Sequence, residues 1–91
     1  MNIDWTQMVT AEMKAAAVYK SAVAEAEQRM AKERMEASSY IDSYTDMVDM
    51  GEATSEDEAM LASWRTFRVN LLKVTKQPGY PLQIDWPVKP A

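Results

Sequence analysis

The stretch from about Asp4 to Met50 contains neither glycine nor proline. No other feature constrains the folding of this chain as strongly. The stretch is filled with Ala, Glu, Met, Lys, Gln and Arg, the residues that lose least on entering a helix. A continuous helix of this length extends roughly 70 Å. Asp4 followed by Gln7 offers a capping box at its start, and Gly51 stands where a C-terminal cap falls. Steps of three and four from Trp5 select Trp5, Val9, Glu12, Ala16, Tyr19, Val23, Ala26, Met30, Glu33, Ala37, Tyr40, Tyr44 and Met47. This is a seven-residue period, interrupted by Glu12 and Glu33 and small in its middle. Trp5, Val9, Ala16, Tyr19, Val23, Ala26, Met30, Tyr40, Tyr44 and Met47 are therefore the candidate helix-packing positions. No other segment is long enough to cover such a rod. Either it breaks near Ser38-Ser39 or another chain buries its stripe, and the reading favoured is a long helix packed on a partner.

A second helix is expected over about Glu56 to Thr75. Ser55 suits the N-cap, Glu58 can reach back to it, and Glu56, Asp57 and Glu58 favour the positive helix end. Met60, Trp64, Phe67, Leu71 and Val74 recur at helical spacing, flanked by Leu61 and Leu72. Beyond Gln77, the prolines at 78, 81, 87 and 90 forbid helix and impose extended backbone. Leu82, Ile84, Trp86 and Val88 alternate there with polar residues or proline, so an arm with one apolar face is expected. It docks on its own second helix or on a neighbouring chain. The fold class read from this is mainly α: a long N-terminal helix, a second amphipathic helix and an extended proline-rich C-terminal arm. The organisation is a helix over 1–50, a turn at 51–55, and a helix plus Trp-Pro arm over 56–91.

Composition narrows the chemistry. The chain has no Cys and no His, which removes thiolate nucleophiles, disulfides, the Ser-His-Asp arrangement and most transition-metal sites. No metal or other cofactor is expected. The paired carboxylates lie along one helix rather than across a cleft, so a glycosidase-like pair is not supported. With 91 residues the chain is short for enclosing a substrate, and it reads as a non-enzyme. The opening stretch carries an acid where a secretory signal has bases, and no apolar run approaches a membrane span. A cytosolic or particle-associated protein without a membrane partner is expected.

Charge is divided unevenly. Residues 1–59 hold 13 acids and 5 bases, whereas residues 60–91 hold 1 acid and 5 bases. Asp42, Asp46, Asp49, Glu52, Glu56, Asp57 and Glu58 form an acid-rich stretch without the alternation of a calcium loop. It reads first as a solvated helix end and second as a dock for a basic partner. Arg65, Arg68, Lys73 and Lys76 make a basic patch beside Trp64 and Phe67. Nucleic-acid binders combine such features, but these aromatics fall on the apolar stripe and the net charge is −4, so nucleic acid is disfavoured. Met8, Met13, Met30, Met35, Met47 and Met50 suit either core filling or an adaptable binding surface.

The run Trp64-Arg65-Thr66-Phe67-Arg68-Val69-Asn70-Leu71-Leu72-Lys73-Val74, then Gln77-Pro78-Gly79-Tyr80-Pro81 and Ile84-Asp85-Trp86-Pro87-Val88-Lys89-Pro90, carries a resemblance. It is similar to the C-terminal module of bacteriophage tail assembly chaperones and tail-fibre assembly proteins, matching from about Glu58 to Pro90. The resemblance implies a non-enzymatic protein that assists folding, oligomerisation or attachment of tail fibres in the host cytoplasm, with some members staying on the fibre. Trp64, Phe67, Arg68, Leu71, Pro81, Ile84, Trp86 and Pro87 are the matching positions, and with Tyr80 they are read as partner-binding or as packing of the module itself. The Met- and Ala-rich helix before Gly51 has no counterpart in this resemblance. The expected partner is a phage tail-fibre or tail protein, with a homo-oligomer through the long helix as a further expectation. The readings carried forward are an assembly chaperone, a permanent tail or fibre subunit, and a small nucleic-acid-binding regulator.

Overall fold

The computed structural model describes the backbone of residues 5–90 and the side chains of residues 12–90. The expected cap at Asp4 and Gln7, and the side chains of Trp5, Met8 and Val9, lie outside them. Two helices and an arm make the fold. Helix α1 runs Trp5–Asp49 without interruption, and α2 runs Ser55–Leu72. A single 3-10 turn, Val74–Lys76, leads into the arm.

Helix α1 does not break at Ser38-Ser39. Ser43 donates its hydroxyl to the Ser39 carbonyl at 3.1 Å, a bond that leaves the helical ladder intact. The helix stops where the sequence puts a glycine. Gly51 has φ of 72°, its N–H reaches the Val48 carbonyl at 3.0 Å, and the Glu52 N–H reaches Met47 at 2.9 Å. Those two bonds satisfy carbonyls that a helix end leaves open.

The cap of α2 lies one residue earlier than Ser55 and Glu58 suggest. Thr54 is the N-cap: its hydroxyl accepts from the Asp57 N–H at 3.1 Å, and its own N–H donates to Asp57 Oδ2 at 2.9 Å. Thr and Asp fill the same reciprocal arrangement as Ser and Glu, so the neighbouring pair was an equally good chemical match. The far end is also shorter than expected, ending at Leu72 and tightening into the 3-10 turn.

The short turn folds α2 back along α1 as an antiparallel hairpin. Ala37 and Ile41 of α1 and Leu61, Trp64, Phe67 and Leu71 of α2 form one buried cluster, with Tyr44, Met60 and Trp86 packed against it. Tyr40 stacks on Trp64 with ring centroids 4.5 Å apart, and Phe67 meets Trp64 edge-on at 5.6 Å. Both geometries suit the ring quadrupoles. Ile41, absent from the stepped stripe, is buried, while Tyr40 lays its ring over Trp64 at the margin.

The arm packs in cis, answering what the sequence left open. Gln77 clamps its root: Nε2 donates to the Asp85 carbonyl at 2.7 Å, and Oε1 accepts from the Asp85 N–H at 2.8 Å. Within that loop the Gln83 N–H bonds the Gly79 carbonyl at 2.7 Å, so tightly that a Cβ on Gly79 would stand 2.6 Å from the Gln83 oxygen. The arm then runs against α1, where Lys89 reaches Glu36 at 3.1 Å and the Arg29 guanidinium lies 4.2 Å from the Trp86 ring centroid.

The arm buries only half of the alternating apolar face, Ile84 and Trp86. Pro81 is buried and Ile84, Pro87 and Pro90 are half-buried, while Leu82 and Val88 are exposed. Residues 78–82 form a turn, and beyond it Ile84, Pro87 and Pro90 recur every third residue, the repeat of proline-rich backbone, with Trp86 packed beside them.

Candidate partner-binding site

Of the aromatic residues that the sequence offered for partner binding or module packing, Trp64 and Phe67 are packed inside the chain. Trp64 is 4% exposed and Phe67 2% exposed, and Leu71 and Pro81 are buried. Neither ring of α2 presents a free face on which a nucleic-acid base could stack. Arg68, Tyr80, Ile84, Trp86 and Pro87 are half-buried. Arg68 donates to Ser38 Oγ at 3.5 Å, tying α2 to α1 rather than pointing free.

Along α1 the stripe divides. From Val23 to Met47 it is covered except at Tyr40: Ala26 and Ala37 are buried, Val23, Met30, Tyr44 and Met47 are half-buried, and Tyr40 stays 45% exposed with its ring against Trp64. Upstream, Glu12, Ala16 and Tyr19 are exposed. The methionines divide as well, Met30 and Met47 lying half-buried while Met13, Met35 and Met50 stand in solvent.

Glu33 is a residue whose burial the sequence did not announce. Its side chain is 9% exposed, with Arg29 Nε at 3.3 Å and Lys89 Nζ at 3.9 Å from Oε1, while Oε2 is buried without a partner. The signals were its place in the stripe and the arginine one turn before it. The lysine that completes the cage comes from the arm, 56 positions later, and no local pattern points to it.

Among the described residues, two open surfaces carry apolar side chains on α1. One is a groove lined by Glu27, Met30, Ala31, Arg34, Leu71, Leu72 and Thr75, where α2 ends against α1. Leu72 is 56% exposed on its lip, with one acid and one arginine on the rim. An apolar floor with a charged rim suits an apolar side chain or helix face of a partner. The other is the front of α1, where Met13, Val18 and Tyr19 stand exposed. The acid-rich stretch lies at the opposite end of α1, around the hairpin turn, as a solvated tip. Among the described residues no group of acids is placed to hold a metal ion, and no helix is long and apolar enough to cross a membrane.

Residues 3–91 match the family described as Caudovirales tail fibre assembly protein, lambda gpK. The match extends well beyond the C-terminal third that carried the sequence resemblance and takes in the long helix as well. No curated protein and no solved structure matches the chain significantly.

Proposed function

This chain belongs to the Caudovirales tail fibre assembly protein family, and from that premise we propose that it is a non-enzymatic assembly chaperone. It binds a tail-fibre or tail protein during virion assembly in the host and assists that protein's folding, oligomerisation or attachment. The observation that carries this reading is the groove of Met30, Leu71 and Leu72, an apolar surface left open beside a core in which Trp64 and Phe67 are already packed. Such a surface can shelter an apolar segment of an immature partner until the partner buries it elsewhere. Trp64, Phe67 and Trp86 then act as the frame that holds the groove rather than as the contact itself.

Co-expression with the neighbouring tail-fibre protein tests this reading. The two should co-purify, and Leu72→Asp should reduce capture by about tenfold or more, because a carboxylate would be desolvated at the contact. Its helical circular dichroism should stay unchanged. Undiminished capture by that variant would remove the groove from the mechanism.

A permanent tail or fibre subunit is the second reading, favoured by the uncovered front of a 45-residue helix. Quantitative mass spectrometry of purified particles separates the two. Absence from particles identifies a chaperone released after assembly, and an integral ratio to fibre identifies a retained subunit.

A further inference from the structure

We propose that the uncovered front of α1 pairs with the same stretch of a second copy, antiparallel and centred on Ala16. Residues 12–21 are all exposed, with Met13 at 65%, Val18 at 59% and Tyr19 at 53%. A helical segment of this size is marginal in water without a packed face. Glu12, Ala16, Tyr19 and Val23 lie on one stripe, with Met13 and Lys20 flanking Ala16 on its other side.

The choice of a second copy rests on how this stretch complements itself. In an antiparallel pair with a two-fold axis at Ala16, Glu12 of each copy lies level with Lys20 of the other. Met13 lies level with Tyr19, and Ala16 meets Ala16 where the backbones approach most closely. Each of these levels joins opposite charges, two apolar side chains or two small ones. A parallel pair would instead set Glu12 against Glu12 and Lys20 against Lys20, which is repulsive. The two-fold arrangement uses one patch twice, as closed dimers do.

The pairing also ends where each copy's own packing begins. The pairing levels run over residues 12–20, and from Val23 to Ala37 the stripe of α1 is already half-buried or buried against its own chain. The assembly is a bar roughly 100 Å long at the helical rise, with one folded hairpin and one groove at each end. This pairing stands independently of the chaperone reading.

Sedimentation equilibrium of the full chain over a range of concentrations tests the proposal, with circular dichroism confirming that each variant folds. The wild-type chain should show a monomer–dimer equilibrium. Glu12→Lys or Lys20→Glu alone turns two attractive pairs into two repulsive ones and should weaken the dimer by about tenfold or more. The double variant E12K/K20E restores opposite charges at both levels and should return the dissociation constant to within about threefold of wild type. A monomer at every concentration overturns the proposal, as does a dimer indifferent to the single changes or a double variant that fails to recover. A chain that is monomeric alone but holds fibre protein through residues 12–21 overturns it too, assigning the surface to that partner.

Discussion

Trp64 sits between Tyr40 and Phe67, and few side chains in so small a core have as much area to lose. Replacing it with Ala should cost about 3–5 kcal/mol, read from chemical denaturation. Its indole Nε1 is buried without a hydrogen-bond partner. Trp64→Phe removes that unsatisfied donor together with part of the ring, so its cost should be clearly smaller than that of the Ala variant. Glu33 presents the opposite case. Its carboxylate gives up water for one 3.3 Å contact and one at 3.9 Å. Desolvation of such a group commonly outweighs its pairing, so Glu33→Leu should leave the melting temperature equal or raise it. A clear drop would show that the Arg29–Glu33–Lys89 cage stabilises the fold.

At the scale of elements, the two helices and the arm depend on different chemistry. The end of α1 depends on one backbone conformation. No atom lies within 4 Å of a Cβ built on Gly51, so Gly51→Ala should cost about 1 kcal/mol from the positive φ alone, with no packing penalty. The arm depends on Gln77. Gln77→Ala deletes both bonds to the Asp85 backbone, and the arm should then detach more readily. Faster amide exchange at Asp85 and a change in Trp86 fluorescence are the expected readouts, with α1 and α2 unaffected. Unchanged exchange at Asp85 would mean that Trp86 on Arg29 and Lys89 on Glu36 hold the arm without the clamp. The helices could be read from periodicity and breakers, because a helix writes its buried face locally every three or four residues. The arm's face was legible only in part: Ile84 and Trp86 of the alternating set pack, whereas Leu82 in the turn and Val88 near the end do not.

The whole molecule is a rod of 79 × 18 × 17 Å with a Cα radius of gyration of 20.4 Å. A compact chain of this length would have a radius near 12 Å by the usual scaling. The difference arises because α2 and the arm cover only the later part of α1. Packing should therefore grade stability along a single helix. In dilute solution, amides of residues 12–21 should exchange much faster than those of residues 26–47, and hydrogen exchange by mass spectrometry measures this directly. Uniform protection along α1 at low concentration would contradict that gradient.

Residues 4–50 specified a helix, because no glycine or proline interrupts them and their side chains favour it. Gly51 specified its end through the one conformation that glycine adopts cheaply. The spacing of Met60, Trp64, Phe67, Leu71 and Val74 specified a second helix and its inward face. These are local properties, expressed within a turn or two of chain. The pairing of Lys89 with Glu36, the burial of Glu33, the closure of Gln77 on Asp85 and the groove at Leu72 arose only once distant segments met. Their energies depend on which groups lose water together, and no stretch of sequence carries that information alone. The same holds for the front of α1: its helical form was legible, but that its own chain leaves it bare followed from where α2 ends.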